Sequence, residues 1–153
     1  LADITCLKEG RAVAEFPKGK RYFFLSEIGE PEDNTLRLVV IEASAQGIEV
    51  KVPGTGLTGQ PILPEPTAKP LELTWTSYIA YAVRNESYAT PEEGQQPPTD
   101  MLSERQGTAF LTFVAQATFA TVDFPGPFRH WELVCLNHVV DVVSTEAPVV
   151  RQL

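Results

Sequence analysis

The sequence predicts an all-β chain with a minor helix at most: an antiparallel β-barrel or a two-sheet sandwich ending in a long C-terminal hairpin. Three observations carry this expectation. Segments whose apolar residues alternate with period two outnumber those with helical spacing. Clusters of Pro, Gly, Asn and Asp separate them, and helix-capping signals are scarce. With 153 residues, 43% hydrophobic and 21% charged, the composition is that of an ordinary globular unit, and residues 1–153 read as a single β-rich domain.

In chain order the alternating segments are 4–7, 12–16, 21–27, 36–43, 48–52, 71–83, 109–121 and 128–143. Turn chemistry lies between them in Pro17-Lys18-Gly19, in 29–34, in 53–59 and in Pro125-Gly126-Pro127. Prolines at 61, 64, 66 and 70 make that stretch an extended surface crossing rather than a ladder strand, because proline lacks the donor a ladder needs. Two short helical options remain. Thr90-Pro91-Glu92-Glu93 is a cap followed by proline, cut short by Gly94 and Pro97-Pro98, and 99–105 has room for about two turns. The polar, acidic stretch 85–108 exceeds the ~12–15 residues usual for a structureless connection, so it reads as a flap over an opening or as disordered chain.

In 71–84, Leu71, Leu73, Trp75, Ser77, Ile79, Tyr81 and Val83 share one face, which reads as buried. The other face carries Glu72, Thr74, Thr76, Tyr78, Ala80, Ala82 and Arg84. Its hydroxyls and small alanines leave room for another body. A strand of this length usually coils around a barrel or bends at a bulge.

The C-terminal third is the most informative region. Phe124-Pro125-Gly126-Pro127 has the composition of a type II turn, with proline second and glycine third. Folding about it sets Phe119 opposite Glu132, Ala117 opposite Val134, Ala115 opposite Leu136 and Phe113 opposite His138, an apolar face that reads as core. The reverse face places Thr112, Val114, Gln116 and Thr118 against Val139, Asn137, Cys135 and Leu133, with Trp131 near its end. Such a mixed face suits either a cavity wall for a partly polar ligand or a solvent face with incidental apolar residues.

Charge removes several functions. A formal charge of −8 and a pI near 4.7 oppose nucleic acid, whose binding rests on Lys and Arg displacing counterions, and equally oppose an anionic membrane surface. No apolar run approaches the ~18 residues of a spanning helix. Lys18, Lys20 and Arg21 read as a solvated loop. Cys6 and Cys135 lie far apart: they are a disulfide in an oxidising compartment or two buried thiols in a reducing one, and buried thiols are the expectation, which leans toward the cytoplasm.

Motifs that suggest chemistry fail on geometry. Gly54-Thr55-Gly56-Leu57-Thr58-Gly59 matches the dinucleotide-binding string, yet Gln60 leads into Pro61 and Pro64, so no helix can open against a pyrophosphate. His130 and His138 lie eight residues apart, ~26 Å along an unbroken strand at ~3.3 Å per residue, too far to share a metal. Cys135 and His138 sit an odd interval apart and point to opposite faces. Glu132 has apolar neighbours but no partner for acid–base work that the sequence identifies. No metal set, cofactor or catalytic residue is assigned.

The leading functional expectation is a non-enzymatic β-barrel that binds a small, partly apolar or aromatic molecule. The residues expected to line its site are Tyr78, Arg84, Thr112, Gln116, Trp131, Cys135 and Asn137. The alternatives are a protein-interaction module or homo-oligomer, and an enzyme with a histidine or carboxylate in a barrel.

Overall fold

The computed structural model describes residues 13–153. Its elements run β1 (Tyr22–Gly29), β2 (Leu36–Ala45), β3 (Val50–Lys51), β4 (Thr58–Gly59), β5 (Ile62–Pro64), β6 (Leu71–Trp75), β7 (Tyr78–Asn85), β8 (Leu102–Arg105), α1 (Ala109–Ala117), β9 (Arg129–Val134), β10 (His138–Ser144) and β11 (Val149–Gln152). One sheet has the order β1-β2-β6-β11, with β5 on the far end of β2; the other has the order β7-β10-β9-β8. All their ladders are antiparallel, and no closed barrel forms, so of the two expected architectures the sandwich is the one consistent with the structure.

The core lies between the sheets. Phe23, Leu25, Leu36, Leu38, Val40, Leu73 and Trp75 from the first pack with Leu133, Val140 and Val142 from the second, joined by Val150 and Cys135. Alternation explains the membership: Leu36, Leu38 and Val40 occupy every second position of β2, and Val140 and Val142 do so in β10. Asn137, in the β9–β10 turn, ties the sheets at one end, its side-chain oxygen accepting from the Leu25 amide and its nitrogen donating to the Leu25 carbonyl, both at 2.9 Å.

Several local expectations are corrected. Residues 109–121 do not form a strand; Ala109–Ala117 is helical. The reason is legible afterwards: Phe110, Phe113, Val114 and Ala117 also recur at helical spacing, three alanines favour the helix, and Thr108 caps it, its hydroxyl accepting from the Leu111 amide. The C-terminal hairpin is instead β9 against β10, with Val134 opposite Val139 and Trp131 opposite Val142, so 128–143 is two strands and not one. The Phe124–Pro125 peptide bond is cis. Segment 71–83 is likewise divided: the chain leaves one sheet after Trp75 and enters the other at Tyr78.

Part of the proline-rich stretch does join a ladder, as β5, where the Pro61 carbonyl accepts from the Gln46 amide, Glu65 supplies the amide donor to Glu42, and the Pro64 carbonyl accepts from the Gln46 side chain. Residues 99–105 hold strand β8 in place of a helix, and the Thr90 option forms none; the one short turn of 3-10 helix there is Glu86–Tyr88. The glycine string links the β3–β4 ribbon, with Gly54 and Gly56 at positive φ, and opens no helix. The expected strand 4–7 and Cys6 lie outside the described residues.

Cys135 is a free thiol buried in the core, and burial pushes it up to about 12 from 9.0. In a Cys6→Ser chain, alkylation at about pH 8 is expected to proceed only as fast as the protein unfolds. The folded thiol keeps its proton where the unfolded one loses it. Its contribution to stability is therefore complete below pH 9 and disappears as pH rises toward 12. Rapid labelling of the native chain would contradict the burial.

Candidate functional site

Strand β10 is buried along nearly its whole length, which no single sandwich interface can accomplish. Val140 and Val142 face the core between the sheets; Val139, Asp141 and Val143 face the other way. Register carries this outer face across the sheet. Asp141 lies between Ala82 and Glu132, Val139 between Arg84 and Val134, and Val143 between Ala80 and His130, with Arg105 beyond His130. Helix α1 packs over β9 and β10 on this side, held by Val114, which is wholly buried.

Between helix and sheet lies a cleft of about 550 Å³. Its floor is the outer face just described: Ala82, Arg84, Arg105, His130, Glu132, Val134, Val139 and Asp141. One wall is the first turn of α1, with Phe110 and Phe113. The other is drawn from residues 86–98, including Ala89, Pro91, Pro97 and Pro98. Part of the long acidic stretch thus borders an opening. The volume falls within the ~300–1,000 Å³ of small-molecule sites, and apolar walls around a few convergent polar groups are their usual composition.

The polar groups of the floor form one chain. Thr108 Oγ1 meets His130 Nδ1 at 2.8 Å, and His130 Nε2 meets Asp141 Oδ1 at 3.0 Å. Arg84 grips Asp141 in a fork, Nε to Oδ2 at 3.0 Å and Nη2 to Oδ1 at 3.2 Å. Arg84 Nη2 lies 3.4 Å from Glu132 Oε2, and Arg105 Nε lies 3.5 Å from Glu132 Oε1. With Nε2 donating to Asp141, Nδ1 accepts the Thr108 hydroxyl proton, while Thr108 Oγ1 accepts from Leu111; every group in the buried part is satisfied. Phe110 closes over the imidazole edge-to-face at 5.4 Å.

Hydroxyl, imidazole and carboxylate in this order resemble the relay of an acyl-transfer enzyme. Their surroundings give them a mechanical task. Thr108 is 3% exposed and uses its hydroxyl both to cap α1 and to bind His130, so the chain bolts the start of the helix to the middle of the sheet. Among the described residues no group of three or more His, Cys, Asp and Glu side chains is placed to hold a metal, and no helix is long and apolar enough to cross a membrane.

Of the residues expected from sequence to line one site, Arg84 alone reaches the cleft. Thr112 and Gln116 lie exposed on α1, far in register terms from the strand partners assumed for them. Trp131, opposite Val142, belongs to the core face and carries Arg129 over its ring at 5.0 Å. Cys135 is core and Asn137 is the clamp on Leu25. The cavity assumed between a 109–121 strand and its partner therefore does not exist. Tyr78 misses the cleft because of a bulge. Ala80 pairs with Val143 but Tyr78 pairs with Ser144, which turns Tyr78 to the core side, where its hydroxyl donates to Glu30 and is pushed up to about 12.

Phe110, Phe113 and Thr108, with Arg105, are not expected at a site from sequence, and Phe113 reads there as a core residue opposite His138. Helical spacing after the Gly107-Thr108 pair was the signal that could have found the first three. Comparison with protein-family models, curated proteins and solved structures finds no match for the chain.

If the Thr108 bolt fixes α1, Thr108→Val loses both a cap and a buried hydrogen bond and is expected to lower stability by about 2 kcal/mol in urea unfolding. Thr108→Ser, which keeps both, is expected to stay within about 0.5 kcal/mol of the parent. Equal losses in the two variants would contradict the hydrogen-bonding role.

Proposed function

We propose that the chain binds a small, partly apolar or aromatic molecule in the cleft between α1, residues 86–98 and the outer face of β7, β10 and β9, without transforming it. The observation that carries the reading is the pairing of apolar walls with a pre-arranged polar floor inside one 550 Å³ opening. Ala82 supports it further: a methyl group at the centre of the floor, beside Arg84 and Asp141, leaves space that larger strand residues would fill. The charged groups nearby are already held by one another, so a ligand meets a surface that needs little reorganisation.

A second reading, a homo-oligomer formed through α1 and the chain that follows it, is favoured by one observation. Phe113, Phe119, Val122 and Phe124 are all exposed, and Phe119 stacks on Phe124 at 6.1 Å. Light scattering that gives twice the monomer mass at micromolar concentration would support it, and a monomer at all concentrations would remove it.

A fragment screen by ligand-observed NMR tests the first reading. Aromatic fragments are expected to bind the parent and to lose binding in Ala82→Phe, whose ring occupies the cleft while its Tm stays close to the parent's. Fragments that bind both chains equally would place the site elsewhere.

A further inference from the structure

We infer that the free edge of β7 is a self-association surface, on which a second copy of the chain lays its own β7 antiparallel and joins two four-stranded sheets into one. An edge strand leaves a row of N–H and C=O groups unpaired, and proteins blunt such rows by covering them, shortening them, charging them or interrupting them with proline. The other edges of the two main sheets are all treated in one of these ways. On β1 the Phe23 carbonyl accepts from the Leu136 amide, and Asn137 takes both the amide and the carbonyl of Leu25. β11 has four residues, and its Val150 carbonyl accepts from the Ala14 amide at 2.9 Å. β8 has four residues, of which Glu104 and Arg105 are charged, and β5 has three, ending on Pro64.

β7 differs from all of them. It runs for eight residues, Tyr78–Asn85, and from Tyr78 to Val83 it carries no charge, proline or glycine. Its one bulge lies at the start, before Ala80, and leaves the remainder regular. Register fixes which of its groups are idle. The Glu86 amide donates to the Asn137 carbonyl, and on the other side the Cys135 amide donates to the His138 carbonyl. By alternation, odd-numbered residues of β10 therefore bond to β7 and even-numbered ones to β9. Ala80, Ala82 and Arg84 are the residues that exchange hydrogen bonds with β10. The amides and carbonyls of Tyr81 and Val83 point outward, with no hydrogen-bond partner among the described residues. No residue of the strand is buried, and Val83 is 43% exposed.

This row suits a copy of itself. Antiparallel pairing about a two-fold axis at Ala82 sets Tyr81 opposite Val83 in both directions, so both idle amides and both idle carbonyls of each copy are used. On the face that Tyr81 and Val83 share, the ring of one copy covers the exposed valine of the other, an aromatic and β-branched pair of the kind that stabilises sheets. On the reverse face Ala82 meets its own counterpart. Arg84, the only charged residue of the strand, faces Ala80 and not another arginine, so no like charges oppose one another. The surface is separate from the exposed aromatic residues of α1 and the chain after it.

Sedimentation of the full chain between about 1 µM and about 1 mM, with hydrogen exchange followed by NMR, tests this. The parent is expected to pass from monomer to twice that mass. In the dimer the Tyr81 and Val83 amides are expected to exchange at least about tenfold more slowly than in the monomer. Val83→Pro deletes a donor that β10 does not use and is expected to remain a monomer throughout, whereas Val83→Thr keeps the amide and dimerises like the parent. A parent that stays monomeric over the whole range would overturn the self-association. So would a dimer that survives Val83→Pro, or one in which the two amides exchange as they do in the monomer, since either forms through another surface. Slow exchange of both amides in the monomer would show the edge already covered from within the chain and overturn it equally. Exchange in the parent decides the matter even if Val83→Pro does not fold.

Discussion

A carboxylate in the middle of a strand buried on both faces must be paired, and Asp141 is that carboxylate. It takes two hydrogen bonds from the Arg84 fork and one from His130, and His130 in turn holds Thr108 at the start of α1. One buried charge thereby dictates the position of an edge-strand arginine, a histidine on the neighbouring strand and the first turn of the only α-helix among the described residues. The helix cannot slide along the sheet without leaving part of this chain unsatisfied, at a cost of about 1–3 kcal/mol for each orphaned group. The cleft owes its shape to that constraint. α1 is held by its N-terminal end and by Val114, and the space beside Phe110 and Phe113 stays open.

The two faces of the second sheet divide the labour. Val140, Val142 and Leu133 meet the first sheet and supply the burial that holds the sandwich together. The reverse face, with Ala82, Arg84, Glu132 and Asp141, lacks the apolar area to form a second core and is covered by a short helix and a proline-containing wall instead. Incomplete covering of a polar face is what leaves both a cavity and charged groups directed into it.

Much of the fold was legible because period-two alternation survives in β1, β2, β6 and β10 with little interruption. Two features defeated the reading of the rest. Residues 109–121 satisfy both periods, since Phe113, Ala115 and Ala117 alternate while Phe110, Phe113, Val114 and Ala117 fall on one helical face; tertiary packing on the sheet, through Val114 and Thr108, decided the outcome. And parity counted through 71–84 fails where the chain changes sheets and again at the bulge before Ala80, which is why Arg84 was placed on the open face correctly and Tyr78 was not. The suspicion that small alanines beside Arg84 leave room for another body points to the right face of the right strand, whereas Phe110 belongs to a segment that alternation reads as a strand and Arg105 to one read as a helical option.

The imidazole of His130 is the fixed link between sheet and helix. Long-range ¹H–¹⁵N correlation NMR of the side chain reads this most directly, because it reports which ring nitrogen holds the proton and whether the ring is held. The predicted spectrum has a slowly exchanging proton on Nε2, directed at Asp141, and an acceptor-type Nδ1 whose shift changes in Thr108→Val. A proton on Nδ1, or a ring averaging between tautomers in fast exchange with water, would contradict it.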